Sequence, residues 1–216
     1  MNELARVFVI EGPDGSGKTT TAKNIVDRLR VNYPNHNVEY LREPGGSERA
    51  EKVREEIMSG ENLTTREMAE LFATSRKYMH EDQNDIFESD SILIMDRSYF
   101  ASVVYQGFVG GVPVNDVMDM NKEFVSDVPL ELGIILIGDP KILRERSLQG
   151  DVNHFDSKGV EYHQAVGEGY KKLLDVLGDT LGEDSPEMYY LDVTNLSLDE
   201  VEERVYGKIT EKMEEF

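Results

Sequence analysis

The stretch Gly12-Pro-Asp-Gly-Ser-Gly-Lys18-Thr19 fits the spacing GxxxxGK[ST]. It follows the apolar run Val7–Ile10 directly and leads straight into Thr20–Leu29, a segment compatible with a helix. This order of strand, glycine-rich loop and helix constrains the fold more than any other feature, because the chemistry needs all three parts. Glycines let backbone N–H groups turn inward around phosphate oxygens, and the helix N-terminus adds its partial positive charge. Lys18 is then expected to reach the terminal phosphates of a nucleotide, and Thr19 to offer an oxygen to magnesium.

Further along, short apolar runs alternate with longer helix-patterned segments. That is the pattern of an α/β fold whose parallel sheet is covered on both faces. Strands are predicted at Val7–Ile10, Val38–Leu41, Ile92–Met95, Ile134–Ile137 and Tyr189–Leu191, and helices near 17–32, 47–58, 64–88, 115–126, 140–148, 159–177 and 198–214. Ser197 with Glu200 three residues on forms a capping box that starts the last of these. The expectation is a three-layer architecture, a five-stranded parallel sheet flanked by helices, within one domain spanning 1–216. Gln106–Pro113 is predicted as a surface loop, and the polar, turn-rich segment 149–159 as a short mobile lid.

Composition narrows the function. Of 216 residues, 39% are hydrophobic, enough for one good-sized core. Lys and Arg number 23 against 43 Asp and Glu, a formal charge of −20 that opposes binding to nucleic acid or an anionic membrane. Any phosphate must therefore be held by a local group of cations. With no cysteine there are no thiolate sites or nucleophiles, and His36, His80, His154 and His163 are too scattered for a zinc site. No apolar run approaches the length of a membrane span, so a soluble, cytoplasmic protein is expected.

Ile92-Leu-Ile-Met-Asp96 is an apolar strand ending in a carboxylate, the arrangement that holds a magnesium shell beside a phosphate loop, although an Asp at a strand end can also be a simple cap. A GTP switch would show an Asp-x-x-Gly here. Asp96 is instead followed by Arg97-Ser98-Tyr99. Four motifs in order, Glu11–Thr20, Leu41-Arg-Glu-Pro-Gly-Gly46, Leu71-Phe-Ala-Thr-Ser-Arg76 and Asp96–Ser102 continuing to Tyr105-Gln-Gly107, resemble those of the thymidylate kinase family over nearly the whole chain.

The resemblance implies a P-loop NTPase fold, ATP as phosphate donor with Mg2+, and a pyrimidine deoxynucleoside monophosphate, dTMP or dUMP, as acceptor. It assigns Gly12, Asp14, Gly15, Ser16, Gly17, Lys18, Thr19 and Thr20 to the ATP phosphates, with Thr19 and Asp96 at the metal. Asp14 is assigned to the acceptor sugar, and Arg42 and Arg97 to its phosphate. Phe72 is to stack on the base while Arg76 bonds its edge, with Ser102 and Gln106 completing the pocket. Arg146 is to lie against the donor adenine, and a homodimer is implied through helices such as 64–88. Lys18, Arg97, Asp14 and Arg146 form the expected catalytic set.

The residues also make sense physically. Phe72 and Arg76 are four apart on a predicted helix and share a face, while Arg42 and Arg97 each follow a strand whose carboxyl end lines a ligand crevice. Blander alternatives are a core Phe beside a solvated Arg, an arginine pairing an acid such as Glu43, and a Gln106-Gly107 pair that merely ends a helix. Family members with a glycine at the place of Gly15 generally carry lid arginines. Here the lid reads Asn153-His-Phe-Asp156, with only Arg144, Arg146 and Lys158 as basic residues nearby: one of these, Arg146 and Lys158 being favoured, takes their part, or His154 does, or transfer relies less on the lid. A P-loop kinase with a different acceptor, or an ATP-binding module without turnover, are the competing functions. The kinase reading requires Lys18, Arg42, Arg76 and Arg97 to converge on one cleft.

Overall fold

The computed structural model describes residues 4–60, 63–125, 130–149, 158–181 and 186–215. Five strands, β1 (Arg6–Glu11), β2 (Asn37–Arg42), β3 (Ser91–Asp96), β4 (Leu130–Ile137) and β5 (Met188–Asp192), form one parallel sheet in the order β2-β3-β1-β4-β5. All five predicted runs lie within these strands.

Pleating sends alternate residues to opposite faces. Phe8, Ile10, Ile92, Ile94, Ile134 and Leu136 pack under α1 (Lys18–Asn32) and α9 (Leu198–Met213), through Ile25 and Leu29 of the first and Val205 and Ile209 of the second. Val7, Val9, Leu93, Met95 and Ile135 face the other layer, where Phe100, Val103, Tyr170 and Leu173 cover them. Strands buried on both sides read as unbroken apolar runs, which is why the sequence marks them clearly. Next to β1 the chain order reverses, with β3 on one side and β4 on the other. The crevice beyond the carboxyl ends of the strands opens at that point.

The remaining helices are α2 (Glu48–Ser59), α3 (Thr65–Asp82), α4 (Asn84–Phe87), α5 (Tyr99–Ser102), α6 (Val114–Val125), α7 (Pro140–Ser147) and α8 (Val160–Leu181). The helix expected over 64–88 ends early. Gln83 leaves helical geometry, and its side chain donates to the Gly46 carbonyl at 3.0 Å. The neighbouring Asp82, Asn84 and Asp85 favour turns over helix interiors.

The surface loop expected at 106–113 is overturned for its first half. Val103–Val109 form a π-helical turn continuous with α5, in which Val103, Val104, Gln106 and Gly107 are buried. The glycine that ends it serves close packing. A Cβ at Gly110 would lie 2.3 Å from Thr65 Cγ2 and 2.8 Å from the Gln106 carbonyl oxygen. Most of the segment predicted as a lid, residues 150–157, lies outside the described residues. Among the described residues, no helix is long and apolar enough to cross a membrane.

Candidate active site

Ser47 caps α2, Thr64 caps α3, Asp139 caps α7 and Ser197 caps α9, each with a side-chain oxygen, and both predicted Ser197–Glu200 bonds are present. The start of α1 has no side-chain cap and no acidic residue in its first turn. Gly17 precedes it in the left-handed region, leaving the first N–H groups of that helix for an anion. The loop is glycine-rich out of necessity. Gly12 has φ +146°, and a Cβ there would meet the Leu136 carbonyl oxygen at 2.3 Å. Gly15 has φ +79°, and a Cβ there would meet the Leu143 carbonyl oxygen at 1.9 Å.

Two cations converge on one carboxylate. Lys18 Nζ donates to Asp14 Oδ1 at 2.9 Å and to the Pro13 carbonyl at 3.3 Å, and Arg97 Nη2 donates to the same Asp14 oxygen. Burial alone would raise the Asp14 carboxyl, but Lys18 and Arg97 hold it well below the usual carboxylate range. Arg97 occupies the left-handed region at φ 73°, which for a residue with a Cβ costs about 1–2 kcal/mol. Its N–H is tied to the Ile10 carbonyl at 3.0 Å, its Nη1 reaches the Tyr170 hydroxyl at 3.3 Å, and its guanidinium stands 5.4 Å from the centre of the Tyr105 ring.

In the same part of the fold, Thr19 Oγ1 donates to Asp96 Oδ2 at 2.6 Å and Tyr40 donates to the same oxygen at 3.3 Å. Burial, and then the Asp96 charge, hold the Tyr40 phenol above its ordinary value, so it remains a donor. Asp96 Oδ1 is buried and takes no hydrogen bond within the described structure. A spare buried carboxylate oxygen beside a threonine hydroxyl suits a hydrated divalent cation. No group of three or more His, Asp or Glu able to hold a metal occurs among the described residues, so such an ion would take its other ligands from phosphate and water.

Asp14, Lys18, Thr19, Arg42, Phe72, Asp96, Arg97 and Gln106 all line one cavity of about 240 Å³, together with Arg54 and Tyr105. Arg42 makes a two-pronged contact with Glu51 through Nη2, at 2.9 and 2.8 Å, with Nε at 3.3 Å. The suggested Arg42–Glu43 pair does not form.

Arg76 departs from the required convergence. It is 3% exposed, bonds Glu43 through Nε and Nη2 and Asn121 through Nη1, and lines a separate recess of about 60 Å³. Glu43 lines both spaces, so Arg76 stands one residue behind the cleft wall. Burial pushes the Glu43 carboxyl up, and Arg76 partly counters this. Ser102 is likewise absent from the cavity lining. Its hydroxyl is buried and makes no hydrogen bond among the described residues.

Arg146 lies outside this cleft. It borders a second groove with Gly15, Ser16, Gly17, Ser197 and Leu198, where its guanidinium donates to the Val193 and Thr194 carbonyls, each at 3.0 Å. That anchorage leaves it in the groove beside the phosphate loop and outside the cavity that Arg97 lines. The Lys158 carbonyl accepts from Arg144 Nε at 3.3 Å, and His154 lies outside the described residues. Among the described residues, no cation of the predicted lid lines the cleft that holds Lys18 and Arg97.

Glu11 was not singled out from sequence. It is fully buried, and its carboxylate accepts from Ser98 N at 2.7 Å, Ala101 N at 3.2 Å, Gly12 N at 3.3 Å and the Tyr170 hydroxyl at 2.9 Å. It clamps the start of the phosphate loop to the turn carrying Arg97. Burial raises its carboxyl, with the Arg97 charge opposing. The signal was present, since Glu11 ends an apolar strand just as Asp96 does. Arg54, whose Nη1 donates to the Pro44 carbonyl at 2.9 Å, was also missed, and on a charged amphipathic helix it carries no such mark.

Comparison with known proteins agrees with this geometry. The profile of the family described as thymidylate kinase matches residues 10–203. A thymidylate kinase of Staphylococcus epidermidis is 30% identical over 209 residues, covering 95% of this chain and 98% of that protein. One of Clostridium novyi is 33% identical over 183 residues, covering 81% and 87%. A crystal structure of thymidylate kinase from Ehrlichia chaffeensis shares the fold, with a TM-score of 0.71 at 21% identity over 96% of this chain and 99% of that one. With the phosphate loop, the Asp96–Thr19 pair and the arginine-lined cleft on the same scaffold, the chain belongs to the thymidylate kinase family.

Proposed function

We propose that this chain transfers the γ-phosphoryl group of ATP to the phosphate of thymidine monophosphate, giving ADP and thymidine diphosphate. The observation that carries this reading is the single cleft that joins Lys18, Thr19 and Asp96 to Arg42, Arg97 and Phe72. The first three residues suit a donor, and the second three an anionic acceptor with a planar base.

An oxygen of the acceptor phosphate attacks the γ-phosphorus as the bond to the β,γ-bridging oxygen breaks, and ADP leaves with that electron pair. The acceptor phosphate is already anionic at neutral pH, so no side chain has to remove a proton. The protein's task is alignment and neutralisation of charge. Lys18 exchanges its bond to Asp14 for the terminal phosphates. Arg97, held by Asp14 and flanked by Tyr105, sits where donor and acceptor phosphates meet, and Arg42 holds the acceptor. Thr19 and Asp96 would hold magnesium accompanying the nucleotide, whose chemistry is to neutralise the phosphate oxygens during transfer. Phe72 stacks on the base and Gln106 borders its pocket, while Arg76, which lies outside the cleft, acts by holding Glu43 in the cleft wall. Arg146 lies against the donor adenine. We further read residues 1–216 as one cytoplasmic kinase unit that pairs as a homodimer through α3, on family resemblance. Sedimentation as a monomer at assay concentration would remove the dimer.

The test is ATP consumption against a panel of nucleoside monophosphates. Turnover dependent on dTMP is expected. Turnover only with other acceptors assigns a different kinase, and ATP binding without transfer assigns a non-catalytic module.

A further inference from the structure

Asp96 carries two oxygens that rotation about its terminal torsion would interchange, a torsion that is soft in carboxylates. Here they are used unequally. Both hydroxyl donors, Thr19 from α1 and Tyr40 from β2, bond Oδ2, while Oδ1 is buried without a partner among the described residues. Tyr40 reaches this oxygen along the sheet. In the β2–β3 register Tyr40 pairs with Ile94 and Arg42 with Asp96, so these four residues share a face and the phenol spans one pleat step. Its ring packs against the cluster beneath α1, and Lys23, one helical turn after Thr19, stands 6.0 Å from the ring centre.

We propose that Tyr40 is a positioning residue for the metal site: its hydroxyl pins Asp96 Oδ2 and thereby keeps Oδ1 available to a divalent cation or its water. The proposal rests on the kinase reading above. Without the Tyr40 hydroxyl, Thr19 alone restrains the carboxylate, and Thr19 is itself expected at the cation. Partners that orient a ligating carboxylate typically change metal affinity by about 10–100-fold. A single hydrogen bond as long as 3.3 Å falls at the lower end of that range.

Tyr40→Phe removes one oxygen and keeps the ring, its packing and the Lys23 contact. The probe is Mn2+, measured by the loss of its free electron paramagnetic resonance signal on titration into enzyme with ADP. The expected result is roughly 10-fold weaker Mn2+ uptake in the variant, with ADP affinity in the absence of metal and the melting temperature unchanged. Turnover should fall at limiting Mg2+ and return toward wild type at saturating Mg2+, with KM for dTMP unchanged. Equal Mn2+ constants in the two proteins overturn the proposal alone, as does a lower melting temperature with no change in the Mn2+ constant. Failure of the wild-type complex to take up Mn2+ overturns both the proposal and the metal site on which it depends.

Discussion

At the scale of single residues, Asp14 organises the site by holding Lys18 and Arg97 on one oxygen. Removing Lys18 takes away a preorganised charge, so Lys18→Met should lower kcat by roughly 100–1,000-fold in a coupled assay at saturating substrates. Asp14 also links the site to acid stability. Its folded-state pKa is depressed, so the unfolded chain takes up the proton first as pH falls. The stabilisation it provides is complete above about pH 4 and is lost below it. Urea denaturation should therefore show wild type exceeding Asp14→Asn by a constant margin at pH 5–7, and by a shrinking margin toward pH 3. Contiguous residues such as Asp14, Lys18 and Thr19 were legible in the sequence because one loop carries their geometry. Choice of partner was not legible. Glu43 follows Arg42 in the chain yet pairs with Arg76 across the fold, while Arg42 takes Glu51 from α2. Parallel strands turn successive side chains to opposite sides, so adjacency in sequence predicts little about ion pairing.

At the scale of elements, the three central strands β1, β3 and β4 were legible because burial on both faces leaves apolar runs, the edge strands β2 and β5 only as short apolar and aromatic stretches, and α9 because Ser197 and Glu200 declare its start. The π-helical turn was not. Gln106-Gly107 and Gly110-Gly111 carry the composition of a loop; the approach of Val114 and Thr65 explains glycine at 107 and 110, and a left-handed φ of +77° explains it at 111. That turn places Tyr105 and Gln106 on the cleft, so its packing and substrate binding are coupled. Gly110→Ala forces a Cβ toward Thr65 and the Gln106 carbonyl. It should destabilise the fold by about 1–3 kcal/mol in denaturant titrations and raise KM for the acceptor more than KM for ATP.

At the scale of the whole molecule, the formal charge of −20 surrounds a cleft that must attract two anions. Raising ionic strength from 0.01 to 1 M shortens the screening length from about 30 to about 3 Å. Relief of self-repulsion should outweigh the weakening of exposed pairs such as Arg49–Asp82, so the melting temperature should rise across that range in a thermal scan. A fall would mean the surface pairs dominate. The closeness of α7 to the phosphate loop has an evolutionary consequence. With the Leu143 carbonyl oxygen 1.9 Å from where the first side-chain atom at Gly15 would stand, an arginine introduced there cannot be seated while the helix keeps its place. A lineage with this helix placement must find any additional positive charge elsewhere, and grafting a bulkier residue into this point of the loop would fail unless the helix were moved with it.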